Sequence, residues 1–201
     1  MPKIITIAHQ KGGVGKSTLA INLALCFRDQ LSVALADTDL QGSLYHLKNE
    51  FPGLTIVSLD KLRDIRQMTH DLLIIDTPPY LSNRLSELFL HSDLILVPTK
   101  AGFFDVMAIR STLALIREAQ LQRPQLQAAI VLNMIKHRWG INKDITALLT
   151  EMGTPLLGSV IHDRVSIARS SITGGILNGG DPKAQAEIMA LAEEIVALIV
   201  R

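Results

Sequence analysis

Three glycines within four residues, Gly12, Gly13 and Gly15, break a short β-branched run and lead straight into Lys16-Ser17-Thr18 and a helix-forming stretch. The run before them, Lys3 to Ala8, has the length and branching of a buried strand, and Thr18 to Gln30 is expected to be a helix. The rest of the chain repeats that order. Val33–Ala36, Thr55–Leu59, Leu72–Ile75, Leu94–Val97, Ala128–Leu132 and Leu156–Ile161 are apolar strand candidates. They end at Asp37-Thr38-Asp39, Asp76-Thr77-Pro78-Pro79, Pro98 and Asn133, with Pro155 opening the last. Val106, Ile109, Leu113 and Ile116 fall at helical spacing, as do Ile188, Leu191, Ile195 and Leu198. Asp181-Pro182 supplies an N-cap and a first-turn proline for the last helix.

Continuously apolar strands alternating with helices imply an α/β fold: a doubly wound, mostly parallel sheet with helices on both faces. No Pro/Ser-rich linker divides the 201 residues, so residues 1–201 are expected to form a single domain. Ligands of such sheets bind beyond the carboxyl ends of the strands. The glycine-rich loop, Asp37 to Asp39, Asp76 and Asn133 all follow apolar strands, so they are expected at one edge.

The loop has the residues a phosphate chain needs. Glycine accepts positive φ and leaves backbone N–H groups unobstructed, Lys16 would neutralise the β and γ phosphates, and the Ser17 hydroxyl would ligate Mg²⁺. The helix that follows adds its positive end. One position departs from the pattern G-x-x-x-x-G-K-S/T: Gln10 stands where the first glycine belongs. Asp76 stands where a Walker B carboxylate would hold Mg²⁺. Asp37 and Asp39, two apart, share a face if their strand continues; one would face the metal and the other orient a water. Each of these carboxylates alone would also serve as a turn or helix cap.

Lys11-Gly12-Gly13-Val14-Gly15-Lys16-Ser17-Thr18 resembles the deviant Walker A box of the ParA/MinD family, in which a non-glycine residue before the first lysine is usual. Asp37 to Ser43 is similar to the family's D-x-D-P-Q-G-S segment, with Leu40 in place of proline. Asp71 to Pro79 is similar to its D-Y-x-x-x-D-T-P-P, and Ser92 to Thr99 also fits. The resemblance, to a ParA-type partition ATPase above all, implies an ATP-dependent, Mg²⁺-requiring hydrolase. Two ATP-loaded protomers would pair face to face, with Lys11 reaching the partner's phosphates and Asp39 orienting the water. Gly12 to Thr18 would hold the nucleotide. Asn133 either reads the adenine or simply ends its strand, and the loop at Thr154-Pro155 would flank the base.

The same resemblance implies non-specific DNA binding by the ATP-bound dimer and a ParB-like adaptor that stimulates hydrolysis. Lys136, Arg138, Lys143, Arg164 and Arg169 are the candidate DNA contacts, although each alone is an ordinary solvated charge. The cargo would be plasmid or chromosomal DNA, or a protein assembly such as a carboxysome carried on the nucleoid. The phosphate loop comes first, so an autorepressing DNA-reading domain ahead of it is not expected. A net charge of +1 neither demands nor forbids nucleic acid.

A single cysteine, Cys26, excludes both a disulfide framework and the paired cysteines of an iron–sulfur relative. No apolar run reaches the ~18 residues of a spanning helix, and no signal peptide fits ahead of Lys3; a cytoplasmic protein is expected. A MinD-like membrane cycle needs a basic amphipathic helix, whereas the last helix carries Glu187, Glu193 and Glu194.

Overall fold

The computed structural model describes residues 1–38, 44–47, 49–58, 65, 67–79, 83–136 and 143–200. Seven strands form one sheet: β1 (Lys3–Ile7), β2 (Val33–Asp37), β3 (Thr55–Ser58), β4 (Leu72–Asp76), β5 (Leu94–Thr99), β6 (Gln127–Ile135) and β7 (Leu156–His162). Their order is β3-β2-β4-β1-β5-β6-β7, and every pairing is parallel. The crossovers carry α1 (Lys16–Phe27), α2 (Asn83–His91), α3 (Phe103–Gln122) and α4 (Lys143–Glu151), and α5 (Val165–Arg169) and α6 (Pro182–Ile199) follow the last strand.

Side-chain alternation along the strands separates the two layers. Ile5, Ile7, Leu72, Ile74, Leu94, Leu96, Ala129 and Val131 face α1 and α6. Ile95, Val97, Ala128, Ile130 and Leu132 face α3, and Ile4, Leu73 and Ile75 pack with Leu88 of α2. The four helical-spacing residues of α3 are all buried, as are Ile188, Leu191 and Ile195 of α6. Fully burying each such aliphatic side chain stabilises the fold by about 1.5–3 kcal/mol before entropy is counted.

β5 runs on through Pro98 to Thr99, although the proline was expected to close it. β1 pairs with β5 only from Leu94 to Leu96, so at Pro98 the side without a donor no longer faces a strand, while β6 still pairs on the other side. β6 likewise continues past Asn133 to Ile135, with irregular register and a positive φ of 58° at Met134.

α6 is tied to β7 by two carboxylates. Glu194 accepts from the N–H groups of Gly158 and Ser159 and from Ser159 Oγ; Glu187 accepts from His162 N at 3.0 Å and Arg164 Nη2 at 2.8 Å. Burial works to raise both carboxyls' pKa values, but these hydrogen bonds outweigh it and hold both below the usual carboxylate range. Of Glu187, Glu193 and Glu194, only Glu193 is exposed. The Asp181 side chain accepts from Ala184 N with Pro182 in the first turn, which is the helix start expected from sequence.

Candidate functional site

The register places Asp37 of β2 beside Asp76 of β4, and Asp76 beside Ile7 of β1, where the glycine-rich loop begins. Three strand ends thus converge at the carboxyl edge. The loop ends in α1, whose N-cap, Gly15, lies at φ 86° and ψ 23°. Gly13 also has positive φ, and both torsions belong to the region glycine enters most cheaply. Val14 between them is fully buried, and its carbonyl accepts from Asn133 Nδ2 at 2.7 Å.

A cavity of about 270 Å³ opens there, lined by Gly12, Gly13, Gly15, Lys16, Ser17, Thr18, Asp37, Asp76, Thr77 and Pro79. Lys16 is buried at 7% exposure, with Nζ donating to the Lys11 carbonyl at 3.3 Å. Ser17 Oγ donates to Asp76 Oδ2 at 2.6 Å, and Asp37 Oδ2 accepts from Leu44 N at 2.8 Å. Thr38 fastens the two strand ends, since its Oγ1 donates to the Asp76 carbonyl at 2.6 Å.

One hydroxyl and two carboxylates at the mouth of a cavity with a buried lysine form an oxygen-donor set suited to a hard divalent cation beside phosphate. Among the described residues no group of three or more His, Cys, Asp or Glu could cage a metal. Mg²⁺ keeps water and takes phosphate oxygens as ligands, so it needs few protein oxygens.

His9, assigned nothing from sequence, supports the loop from below. It is 1% exposed, and its Nδ1 accepts from Lys11 N at 2.8 Å. Burial, reinforced by the charge of Lys16, pushes its pKa down to about 4. The imidazole is therefore neutral near pH 7. Lys11 points the other way, outside the cavity, and its Nζ lies 2.5 Å from Asp105 Oδ1. Asp105 lies in the first turn of α3, whose N-cap is Gly102.

A second, narrower recess adjoins the first. It is lined by Gly15, Thr18, Leu19, Asn133, Met134, His162, Asp163, Arg164, Ile167 and Ala168. Asn133 is there as expected; Pro155 is not. β7 is parallel to β6, so Pro155 precedes the strand at its amino end, and His162-Asp163-Arg164 arrives beside Asn133 instead. That reversal follows from strand direction alone, which was the available signal.

Of the basic candidates, Lys136, Lys143 and Arg169 are exposed. Arg164 is engaged by Glu187 at 2.8 Å and lies 3.9 Å from Asp181, a site of structural pairing more than a free surface cation. Asp39 and Arg138 lie outside the described residues.

Residues 5–177 match the family model described as the CobQ/CobB/MinD/ParA nucleotide binding domain. The chain is 27% identical to Maintenance of carboxysome distribution protein A of Halothiobacillus neapolitanus, over 96% of this chain and 95% of that protein. It is 26% identical to the chromosome-partitioning ATPase Soj of Thermus thermophilus, over 97% and 96%. In fold it superposes with a TM-score of 0.72 on the septum site-determining protein MinD of Pyrococcus horikoshii complexed with Mg-ADP. That match is 20% identical and covers 97% of this chain and 96% of the other.

Proposed function

Because the chain belongs to the CobQ/CobB/MinD/ParA nucleotide-binding family, we propose that it is a dimerising, Mg²⁺-dependent ATPase that binds DNA non-specifically when ATP-bound. In that state it segregates plasmid or chromosomal DNA together with a cargo-bound, ParB-like adaptor that stimulates hydrolysis. The observation that carries this reading is the division of labour between two lysines. Lys16 is buried in the cavity, whereas the Lys11 side chain stands 43% exposed outside it. A cation beyond its own pocket stabilises a triphosphate only when a second protomer brings one to it, so nucleotide holds the pair together.

In this reading the backbone N–H groups of Gly12 to Thr18 bind the phosphates, and Lys16 neutralises them. Ser17, Asp37 and Asp76 would hold Mg²⁺, which when bound supplies charge neutralisation between phosphates. Asn133 fixes the roof of the phosphate loop through Val14 and borders the recess for the base. Asp39 orients the water, and loss of the γ-phosphate removes the target of Lys11 and frees the protomers. The chain acts as one domain in the cytoplasm and associates with the nucleoid while ATP-bound.

A second cargo, a protein assembly such as a carboxysome, is favoured by the name of the relative from H. neapolitanus, which aligns over nearly the whole chain. A membrane cycle has less support. Among the described residues of α6 the only cation is Lys183, too little to hold an anionic surface.

The test is DNA binding against salt, with ADP and with a non-hydrolysable ATP analogue. If each protomer covers roughly three phosphates, log–log slopes of about −2.7 for a monomer and −5.4 for a dimer are expected. Equal affinity with both nucleotides would rule the DNA-carrier reading out.

A further inference from the structure

The first turns of α3 reach back to the phosphate loop at two points. Asp105 Oδ1 is 2.5 Å from Lys11 Nζ, and Ser111 Oγ donates to Gln10 Oε1 at 2.8 Å. The carboxylate at the first point has little exposure, 16%, against 43% for the lysine side chain. Its second oxygen, Oδ2, folds back over Gly102, where a Cβ would stand 2.5 Å from it. Gly102 has φ −90° and ψ 142°, a conformation any residue adopts, so the backbone does not call for glycine there. The space taken by the Asp105 carboxylate does.

We propose that Asp105 is a positioning residue for Lys11: it parks the ammonium on its own subunit and must release it before the lysine can reach a partner's phosphates. The proposal rests on the nucleotide-bridged pairing described above and adds the competitor that opposes it. An ammonium occupies one site at a time, so each protomer gives up one Lys11–Asp105 pair when the dimer forms. The carboxylate offers one negative charge and a triphosphate several, so transfer is favourable only when a loaded partner presents them. Asp105 therefore raises the nucleotide-loaded concentration at which pairing sets in. It also keeps an exposed lysine off other anions in the unpaired protomer. Exposed pairs of this kind contribute little each, so the loss of two shifts the dimer dissociation constant by about fivefold.

Two variants of the full chain test this. Asp105→Asn removes the charge at nearly constant shape, while Gly102→Ala keeps every charge and displaces the carboxylate. The first readout needs no pairing: the rate at which a soluble acylating reagent modifies Lys11 in nucleotide-free protein, followed by mass spectrometry with Lys183 as internal reference. Acylation about threefold faster than in the parent chain is expected in both variants. Unchanged rates in both would show that Asp105 does not hold Lys11. The second readout is the dimer dissociation constant with a non-hydrolysable ATP analogue, by sedimentation equilibrium. Asp105→Asn should pair about fivefold more tightly; equal or weaker pairing overturns the competition. A parent chain that stays monomeric with nucleotide refutes the pairing and the release step together, whereas the acylation rates still report separately on the parked lysine.

Discussion

Alanine at Gly15 should cost about 3 kcal/mol of folding stability, and alanine at Gly13 only about 1, although both glycines sit at positive φ. The backbone term is common to both, about 1–2 kcal/mol for an L residue in the left-handed region. The surroundings differ. A Cβ at Gly13 meets nothing within 4 Å, whereas one at Gly15 is driven into Asn133 Nδ2. Asn133 is 3% exposed and its amide satisfies the Val14 carbonyl, so the clash expels a buried donor from a buried acceptor. Leaving that carbonyl unmatched adds about 1–2 kcal/mol. Urea denaturation without nucleotide measures both variants, and in a chain of this size the larger loss lowers Tm by about 8 °C. Asn133→Ala supplies the internal control. In the Gly15→Ala background the asparagine is already displaced, so the double variant should fall short of the sum by about 1–2 kcal/mol. Equal losses at Gly13 and Gly15, or strict additivity with Asn133→Ala, would refute the close approach as the reason for glycine.

His9 gives the fold a pH dependence of definite sign. With its pKa lowered from 6.5 to about 4 in the folded chain, the unfolded state binds more protons between those values. Its contribution of about 3 kcal/mol is complete above pH 6.5 and lost as pH falls towards 4. His9→Asn should remove that part of the slope in denaturation curves taken between pH 5 and 7.5, and an unaltered slope counts against the assignment. Lys16→Ala should abolish ATP binding by calorimetry, since it removes the one buried cation among the described residues of the cavity's lining; retained micromolar affinity would exclude the phosphate role. Asp39→Ala should give a dimer that forms with ATP and persists, detectable by light scattering, and turnover at the parent rate would take Asp39 out of the mechanism.

The layers of the fold were legible because hydrophobic pattern and strand direction act locally. β1 and β4 are apolar on both faces, so their lengths and the polar residues that end them could be assigned without tertiary knowledge. Pro98 misled because its missing donor matters only if a neighbour needs it, and which neighbour remains at that level depends on where β1 stops. Pro155 belongs to the other edge: a proline before a strand lies at the amino end, opposite the glycine-rich loop. The recess beside Asn133 receives His162-Asp163-Arg164 through the parallel register of β7, which depends on pairing across the sheet. Asp105 could not be matched to Lys11 from spacing, since 94 positions separate them. The inward turn of Glu187 and Glu194 is illegible in the sequence for a similar reason. A helical wheel places Glu187 and Glu194 near the boundary of the buried face, and only the position of β7 decides that they turn inward.

Those two glutamates have a consequence beyond the stability of α6. β7 is the last strand of the sheet, and the main-chain donors of Gly158, Ser159 and His162 are taken by acid side chains where another strand would otherwise dock. The sheet is thus finished chemically at that border, much as a hem stops cloth from fraying, and the proposed pairing through the nucleotide face would meet no rival there.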